Sequence, residues 1–197
     1  MLIDKKTDFS ASDLSFDEID AGFTTREAIA EAKRCLNCKT PLCRKGCPIG
    51  NDIPGFIHAL ANGNIGEASA IIALRSNLPA VCGRVCPHER QCEGACVLQR
   101  KDCGIHIGKL ERFIADFDAE MGIHVHKNEL PLQGRVAVIG SGPAGLTVAG
   151  DLAKLGFAGT IFESQTEPGG VLMHGIPEFR LGKEGVRREI RRIQDLG

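Results

Sequence analysis

Nine cysteines, all between Cys35 and Cys103, constrain what this 197-residue chain can fold into more than any other feature. Thiols at that density serve either as a disulfide scaffold or as ligands to metal. The chain opens Met1-Leu2-Ile3-Asp4-Lys5-Lys6, without the apolar stretch of a secretion signal, and no run approaches the ~20 apolar residues that cross a bilayer. The expectation is therefore a soluble, cytoplasmic protein with no membrane insertion. An odd number of thiols in a reducing compartment argues against disulfides, so the spacing has to be read for metal. With 24 Lys plus Arg against 25 Asp plus Glu the formal net charge is -1, and no overall electrostatic footprint for nucleic acid follows.

The first block, Cys35, Cys38, Cys43 and Cys47, is followed at once by Pro48; the second is Cys82, Cys86, Cys92 and Cys96, with Pro87 after Cys86. Two four-cysteine zinc sites would use all eight. Structural zinc, however, typically takes close pairs separated by a longer loop, whereas a run of close cysteines ending in Cys-Pro resembles the bacterial ferredoxin run. In two-cluster ferredoxins the cysteine before proline ligates the other cluster. The same logic predicts exchange here, with Cys35, Cys38 and Cys43 taking a fourth ligand from the second block and Cys47 joining that block. Cys103 lies outside both blocks and reads as a buried or incidental thiol.

Local signals frame these blocks. Residues 1–23 read as an acidic arm carrying Asp4, Asp8, Asp13, Asp17, Glu18 and Asp20. Thr24 and Glu27 form a capping-box pattern that opens a helix towards Cys35. Further helices are predicted from Asp52-Ile53-Pro54 to Asn62 and from Ile65 to Leu74, with a loop over 77–80. Ile107, Leu110, Ile114, Phe117 and Met121 fall 3, 4, 3 and 4 apart, an amphipathic helix closed by Gly122. A linker is expected over 124–134, so residues 24–123 form one helical, cysteine-bearing domain.

Beyond the linker the pattern changes type. A strand over 135–139, a helix over 143–155 and a strand over 159–163 make a βαβ unit and hence a parallel sheet. The turn between the first strand and the helix is Gly140-Ser141-Gly142-Pro143-Ala144-Gly145. Glycines there allow a tight turn, close approach of backbone to a pyrophosphate, and contact between helix and strand. Glu163, at the end of the second strand, is placed for a ribose diol and would repel a ribose 2′-phosphate. The fingerprint alone leaves NAD and FAD open. Residues 135–197 thus read as the N-terminal part of a Rossmann-like dinucleotide-binding domain, and the fold class is α plus α/β.

These residues resemble the small subunit of NADPH-dependent glutamate synthase and its relatives, the large subunit of NADH-dependent ferredoxin:NADP oxidoreductase and the N-terminal region of dihydropyrimidine dehydrogenase. The resemblance is carried by Arg34-Cys35-Leu36-Asn37-Cys38, Cys43 to Pro48, Cys82 to Pro87, Cys92 to Cys96, Ile107 to Phe113, Gly140 to Gly145 and Pro168 to Leu181. It implies two 4Fe-4S clusters, one held by Cys35, Cys38, Cys43 and Cys96, the other by Cys47, Cys86, Cys92 and the carboxylate of Glu111. It implies FAD at Gly140, Ser141, Gly142, Pro143, Ala144, Gly145 and Glu163, with Gly170 and Leu172 in the following segment. Cys82, which spacing alone selects, is then left without metal.

The function so implied is electron transfer from NAD(P)H through FAD and the clusters to a large catalytic subunit or a ferredoxin-type partner. Members of the family continue further, with a second glycine loop for NAD(P)H that this sequence lacks, so the expectation is an incomplete piece without its own NAD(P)H site. The rival readings are a ferredoxin:NADP oxidoreductase-type subunit and a non-enzymatic iron-sulfur or zinc interaction module. No acid-base or nucleophilic constellation is apparent, since His58, His88, His106, His124, His126 and His174 form no motif. Arg187, Arg188, Arg191 and Arg192 have the helical spacing of a solvated face.

Overall fold

The computed structural model describes residues 18–101, 103–123 and 130–197. Most of the predicted acidic arm (residues 1–17), part of the predicted linker (124–129), and with it His124 and His126, lie outside the described residues. Helix α1 (Thr25–Ala32) begins at the capping box read from the sequence: Thr24 accepts from the Glu27 backbone, and the Glu27 carboxylate accepts from the Thr24 backbone. Eight residues cannot hold a helix in water alone, so the cap and the burial of Ala28 and Ala32 stabilise it together. A one-turn helix α2 (Leu42–Gly46) follows between the third and fourth cysteines.

Helices α3 (Ile53–Ala61) and α4 (Ile65–Ala73) fall where the periodicity put them, and Asn64 caps the second through the Glu67 N–H. Helix α5 (Pro79–Val85) departs from the expected loop over 77–80. Proline, which lacks an N–H and has a preset φ, suits the first turn of a helix, and Pro79 occupies that place. Helix α6 (Ile107–Met121) buries Ile107, Leu110 and Ile114 and ends at Gly122, whose left-handed φ of 61° no β-carbon obstructs.

Strand β1 (Gly134–Ile139), helix α7 (Pro143–Lys154) and strand β2 (Phe157–Phe162) form the βαβ unit, with β1 and β2 parallel and Val138 beside Ile161. The second strand starts two residues earlier than the sequence suggested, because Gly156, at φ 91°, reverses the chain immediately after α7. A short helix α8 (Val171–His174) and a longer α9 (Lys183–Gln194) complete the described chain. Among the described residues no helix is long and apolar enough to cross a membrane.

Two apolar cores result. One joins Ala28, Phe56, Ile57, Leu60, Ile72, Leu110 and Ile114, with Cys35, Cys43, Cys47 and Cys96 packed at its edge. The other joins Val138, Leu146, Leu172, Leu181, Val186 and Ile190, and takes Leu78 and Val81 from the region of α5. Helix α5 therefore lies on the seam. A β-carbon on its Gly83 would come within 2.6 Å of the Arg112 backbone nitrogen, so α5 and α6 touch backbone to backbone there.

Polar bonds cross the same seam. Arg84, only 8% exposed, donates to Glu18 at 2.6 Å and to Asp116 at 2.7 Å; Arg112 also donates to Glu18, which accepts in addition from the Gly182 N–H. Asn77 donates to the Thr147 carbonyl and to Asp151, and Lys154 to the Ala73 carbonyl. Glu189 of α9 is buried and accepts from the Ala80 N–H in the first turn of α5. Burial pushes its carboxyl up to about 7, against the lowering effect of that N–H and of Arg192.

An acid whose pKa is raised on folding supports the fold most below its unfolded value and loses that support as pH rises through the folded one. Glu189→Gln keeps the acceptor for Ala80 but cannot ionise. We expect denaturant unfolding to show the variant close to wild type at pH 4.5 and more stable at pH 8, by on the order of 1–3 kcal/mol.

Candidate metal centre and dinucleotide loop

The cysteines separate into two groups that do not follow the two blocks of the sequence. Cys35 and Cys38 flank the turn after α1, Cys43 lies in α2, and Cys96 arrives from the second block. Together the four line one cavity, walled by Leu36, Leu42, Pro54, Val97, Leu98 and Ile105. The turn is possible because Asn37 adopts a left-handed backbone, φ 46°, a conformation asparagine tolerates. Burial pushes the thiols of Cys35 and Cys43 up, Cys43 to about 11, and the neighbouring cysteines of the group add to the effect.

The second group forms where α5, α6 and the turn after α5 meet. Cys86 caps the C-terminus of α5, Cys92 is buried, and Cys47 and Glu111 both lie close enough to Cys92 to raise its pKa. Burial comes first there, and the thiol reaches about 12. Glu111 is pushed up to about 8 by burial, then by Cys86 and Glu189, and makes no hydrogen bond or ion pair among the described residues. Cys82 lies alongside: its thiol donates to Cys86, which lowers Cys86 and, with burial, raises Cys82. The structure thus brings both candidates for an eighth ligand, Glu111 and Cys82, next to Cys86. Cys103 is exposed and donates only to the Leu98 carbonyl, so it is not a buried thiol.

The chemistry of the donor set tests whether an iron-sulfur centre fits. Beside the half-buried thiols of Cys35 and Cys43 stand Cys38 and Cys96, and beside Cys92 and Glu111 stand Glu93 and Cys86, so neighbouring acids oppose ionisation in both groups as burial does. Acidic groups gathered in an apolar setting without a cation stay protonated, and a metal core supplies the positive charge that turns them into thiolate and carboxylate ligands. The residues fit such a core. Among the described residues no three His, Cys, Asp or Glu side chains are arranged to hold a single metal ion.

The glycine loop is built by contacts of its own. Gly140 takes φ 92°, and a β-carbon on Gly145 would strike the Gly140 carbonyl, so α7 lies directly on the end of β1. Space around Gly142 is open. Gly142 caps α7 without a side chain, and the first-turn N–H groups of Ala144 and Gly145 lack helical partners, as at any helix start. Pro143 has no N–H to offer. Glu163 accepts from the Ser141 hydroxyl, from the Gln165 N–H, from the Ser141 N–H at 2.9 Å and from the Ser164 hydroxyl at 3.3 Å; the Ser141 hydroxyl leads in holding its carboxyl down at about 2.

Ser141 is fully buried, and its oxygen in turn accepts from the Gly169 N–H, tying the loop to the next segment. Gly170, whose β-carbon would meet the Gly142 Cα at 2.8 Å, rests on the loop, while the Leu172 side chain is part of the core. Sequence reading missed this serine's role. Its signal was present, since a hydroxyl between two loop glycines faces an acid at the end of the adjacent strand. Three of the four arginines of α9 are engaged rather than simply solvated: Arg187 pairs with Glu167, Arg191 with Glu184 and Arg192 with Asp118.

Comparison with known proteins gives the following. The family described as dihydropyrimidine dehydrogenase domain II, 4Fe-4S cluster, matches residues 12–123, and an NAD(P)-binding Rossmann-like domain matches residues 138–178. The NAD-dependent dihydropyrimidine dehydrogenase subunit PreT of Salmonella typhimurium is 41% identical over 181 residues, 92% of this chain and 44% of that protein. The glutamate synthase (NADPH) small chain of Escherichia coli is 42% identical over 180 residues, 90% of this chain and 38% of that one. That of Azospirillum brasilense is 37% identical over 186 residues, 92% and 38% respectively. The chain therefore spans less than half the length of these relatives.

The loop geometry sets a measurable expectation. Ser141→Ala removes one of the four donors to Glu163, so the Glu163 carboxyl should titrate nearer the ordinary carboxylate range, as followed by carboxyl carbon NMR. An unchanged midpoint would show that the two N–H groups and the Ser164 hydroxyl suffice.

Proposed function

Because the chain belongs to the family of dihydropyrimidine dehydrogenase domain II, the 4Fe-4S cluster domain, we propose that it is the electron-transfer part of an NAD(P)H-dependent flavin and iron-sulfur oxidoreductase. In this reading Cys35, Cys38, Cys43 and Cys96 hold one 4Fe-4S cluster, and Cys47, Cys86, Cys92 and Glu111 a second. Residues Gly140 to Gly145, Glu163 and Gly170 hold FAD, and a partner subunit takes the electrons. When bound, the flavin joins two-electron hydride chemistry to single-electron transfer, and the clusters carry single electrons. The observation that carries the reading is the regrouping of the cysteines, with Cys96 leaving its own block to line one cavity with Cys35, Cys38 and Cys43.

The chain's own residues would act as follows. Leu42, Pro54, Leu98 and Ile105 exclude water from the first group, which keeps the local dielectric low and lets protein dipoles set the potential. Glu111 would give the second group a harder oxygen donor than thiolate, and so a potential different from the first. Cys82 would not bind metal but would donate its S–H to the Cys86 sulfur, withdrawing charge from a ligand. At the loop, Gly142 leaves room for a pyrophosphate beside the start of α7. The Glu163 carboxylate, ionised at neutral pH, is anchored by Ser141 and available to a ribose diol.

The decisive experiment is metal analysis of anaerobically reconstituted protein. It should contain close to eight iron and eight acid-labile sulfide per chain, and two zinc ions without sulfide would overturn the reading. Under the same reconstitution Glu111→Ala should lose or convert one cluster, seen in the EPR spectrum and iron count, while Cys82→Ser retains both. The reverse pattern would make Cys82 the ligand. At the loop, Gly142→Val should abolish flavin binding in a chain that completes the sheet, because the side chain fills the open space beside the start of α7.

A further inference from the structure

The stretch from Lys33 to Asn51 contains Lys33, Arg34, Lys39, Arg44 and Lys45 and no Asp or Glu. On a chain of formal net charge -1 this is a segregated positive patch. All five side chains are exposed. Arg34 is turned to Glu31 at 2.6 Å, and Arg44 lies 3.8 Å from Asp52. The three lysines have no ion-pair partner among the described residues, so their charge is available to an incoming surface.

The same stretch carries three of the four cysteines of the first group, together with two exposed apolar side chains. Leu36 is 61% exposed and Ile49 44%. Leu36 both lines the cysteine cavity and faces solvent, so it forms a thin cover between the sulfurs and the outside. Electron exchange between proteins needs a redox centre close beneath the surface and a contact that forms and dissolves quickly. Interfaces of that kind are small, and complementary charge at their rims sets how fast they form.

We propose that the exposed surface of this stretch, with Leu36 over the first cysteine group and Lys33, Lys39 and Lys45 flanking it along the chain, docks a one-electron carrier protein whose own redox centre lies beneath an acid-rimmed apolar patch. The proposal rests on the reading of Cys35, Cys38, Cys43 and Cys96 as iron-sulfur ligands. In the transfer one electron leaves the reduced centre and reduces the acceptor by one electron, with no bond made or broken. A nucleic acid would also be drawn to lysines, but no aromatic ring lies between Lys33 and Asn51 on which bases could stack, and Leu36 and Ile49 favour a protein surface.

The test uses the full chain, reconstituted, reduced with dithionite and freed of reductant. It is mixed in a stopped-flow cell with acidic plastocyanin, with basic mitochondrial cytochrome c, or with uncharged benzoquinone. Plastocyanin should be reduced faster than cytochrome c at about 0.02 M salt and should lose that advantage near 0.3 M, where screening reaches within ~6 Å. The variant Lys33→Glu/Lys39→Glu/Lys45→Glu should be slower towards plastocyanin by about tenfold, the lower end of electrostatic steering, and faster towards cytochrome c. Its iron content and its rate with benzoquinone should match the parent, which separates docking from cluster loss, and Lys39→Glu alone should give a smaller change of the same sign.

A plastocyanin rate indifferent to salt and to charge reversal would overturn the proposal, as would cytochrome c being the faster partner of the parent protein. Binding of a single-stranded RNA by the lysines without any effect on the plastocyanin rate would assign the patch to nucleic acid instead. Failure of the parent to reduce even benzoquinone, with no iron present, would overturn the underlying cluster reading, a result distinct from all of these.

Discussion

Backbone contact between α5 and α6 at Gly83 is the constraint on which the rest of the structure depends. Any larger residue would drive the two helices apart at the Arg112 backbone. With them in contact, Cys82 and Cys86 on α5 come to Glu111 on α6, and Arg84 reaches Asp116 and Glu18. A nearly buried arginine between two carboxylates is not a large net gain in stability, because the cost of taking the charges out of water offsets most of their attraction. The network therefore acts mainly to fix geometry. It holds α5, α6, the chain before α1 and the loop at Gly182 in one arrangement.

The electrostatics of the two functional regions run in opposite directions. At the cysteine groups burial comes first in raising Cys35, Cys43, Cys92 and Glu111, and the neighbouring acids reinforce it. Such a pocket is incomplete without positive charge. At the glycine loop the Glu163 acid is stabilised as an anion by hydrogen bonds from its own neighbours, so it is already charged before any ligand arrives. The two regions thus differ in charge state: at the cysteine groups burial and neighbouring acids favour the protonated forms, whereas Glu163 at the loop is held as an anion.

Much of this was legible in the sequence where the signal is local. The capping box at Thr24 and Glu27, the 3-4 spacing through α6 with its terminal Gly122, and the strand-loop-helix-strand order after residue 134 all rest on neighbours a few positions apart. Helix α5 was not legible, because a seven-residue segment holding Gly83 has little helical propensity of its own and is helical through what it packs against. Glu189 is a similar case. Flanked by arginines on a helix of high charge, it looks solvated, yet it is buried against the start of α5. The regrouping of the cysteines was half legible: Cys-Pro signalled an exchange of ligands, but which cysteine crosses over depends on where α2, α5 and α6 bring the chain, and a flanking Glu such as Glu111 carries no mark of its partners.

Helix α5 also serves both halves, giving Val81 and Val85 to the second core while Gly83 lies against the backbone of α6, whose Leu110 and Ile114 are in the first. A segment shared in this way cannot melt for the benefit of either side alone, since loosening it to free the nucleotide-loop half would also open the cysteine half. Local opening in this protein must therefore begin elsewhere, at ends and surface turns, while the seam belongs to the last cooperative unit to give way. The two halves then exchange and unfold as one body, which keeps the separation between the cysteine groups and the glycine loop a fixed quantity through every fluctuation short of global loss of structure.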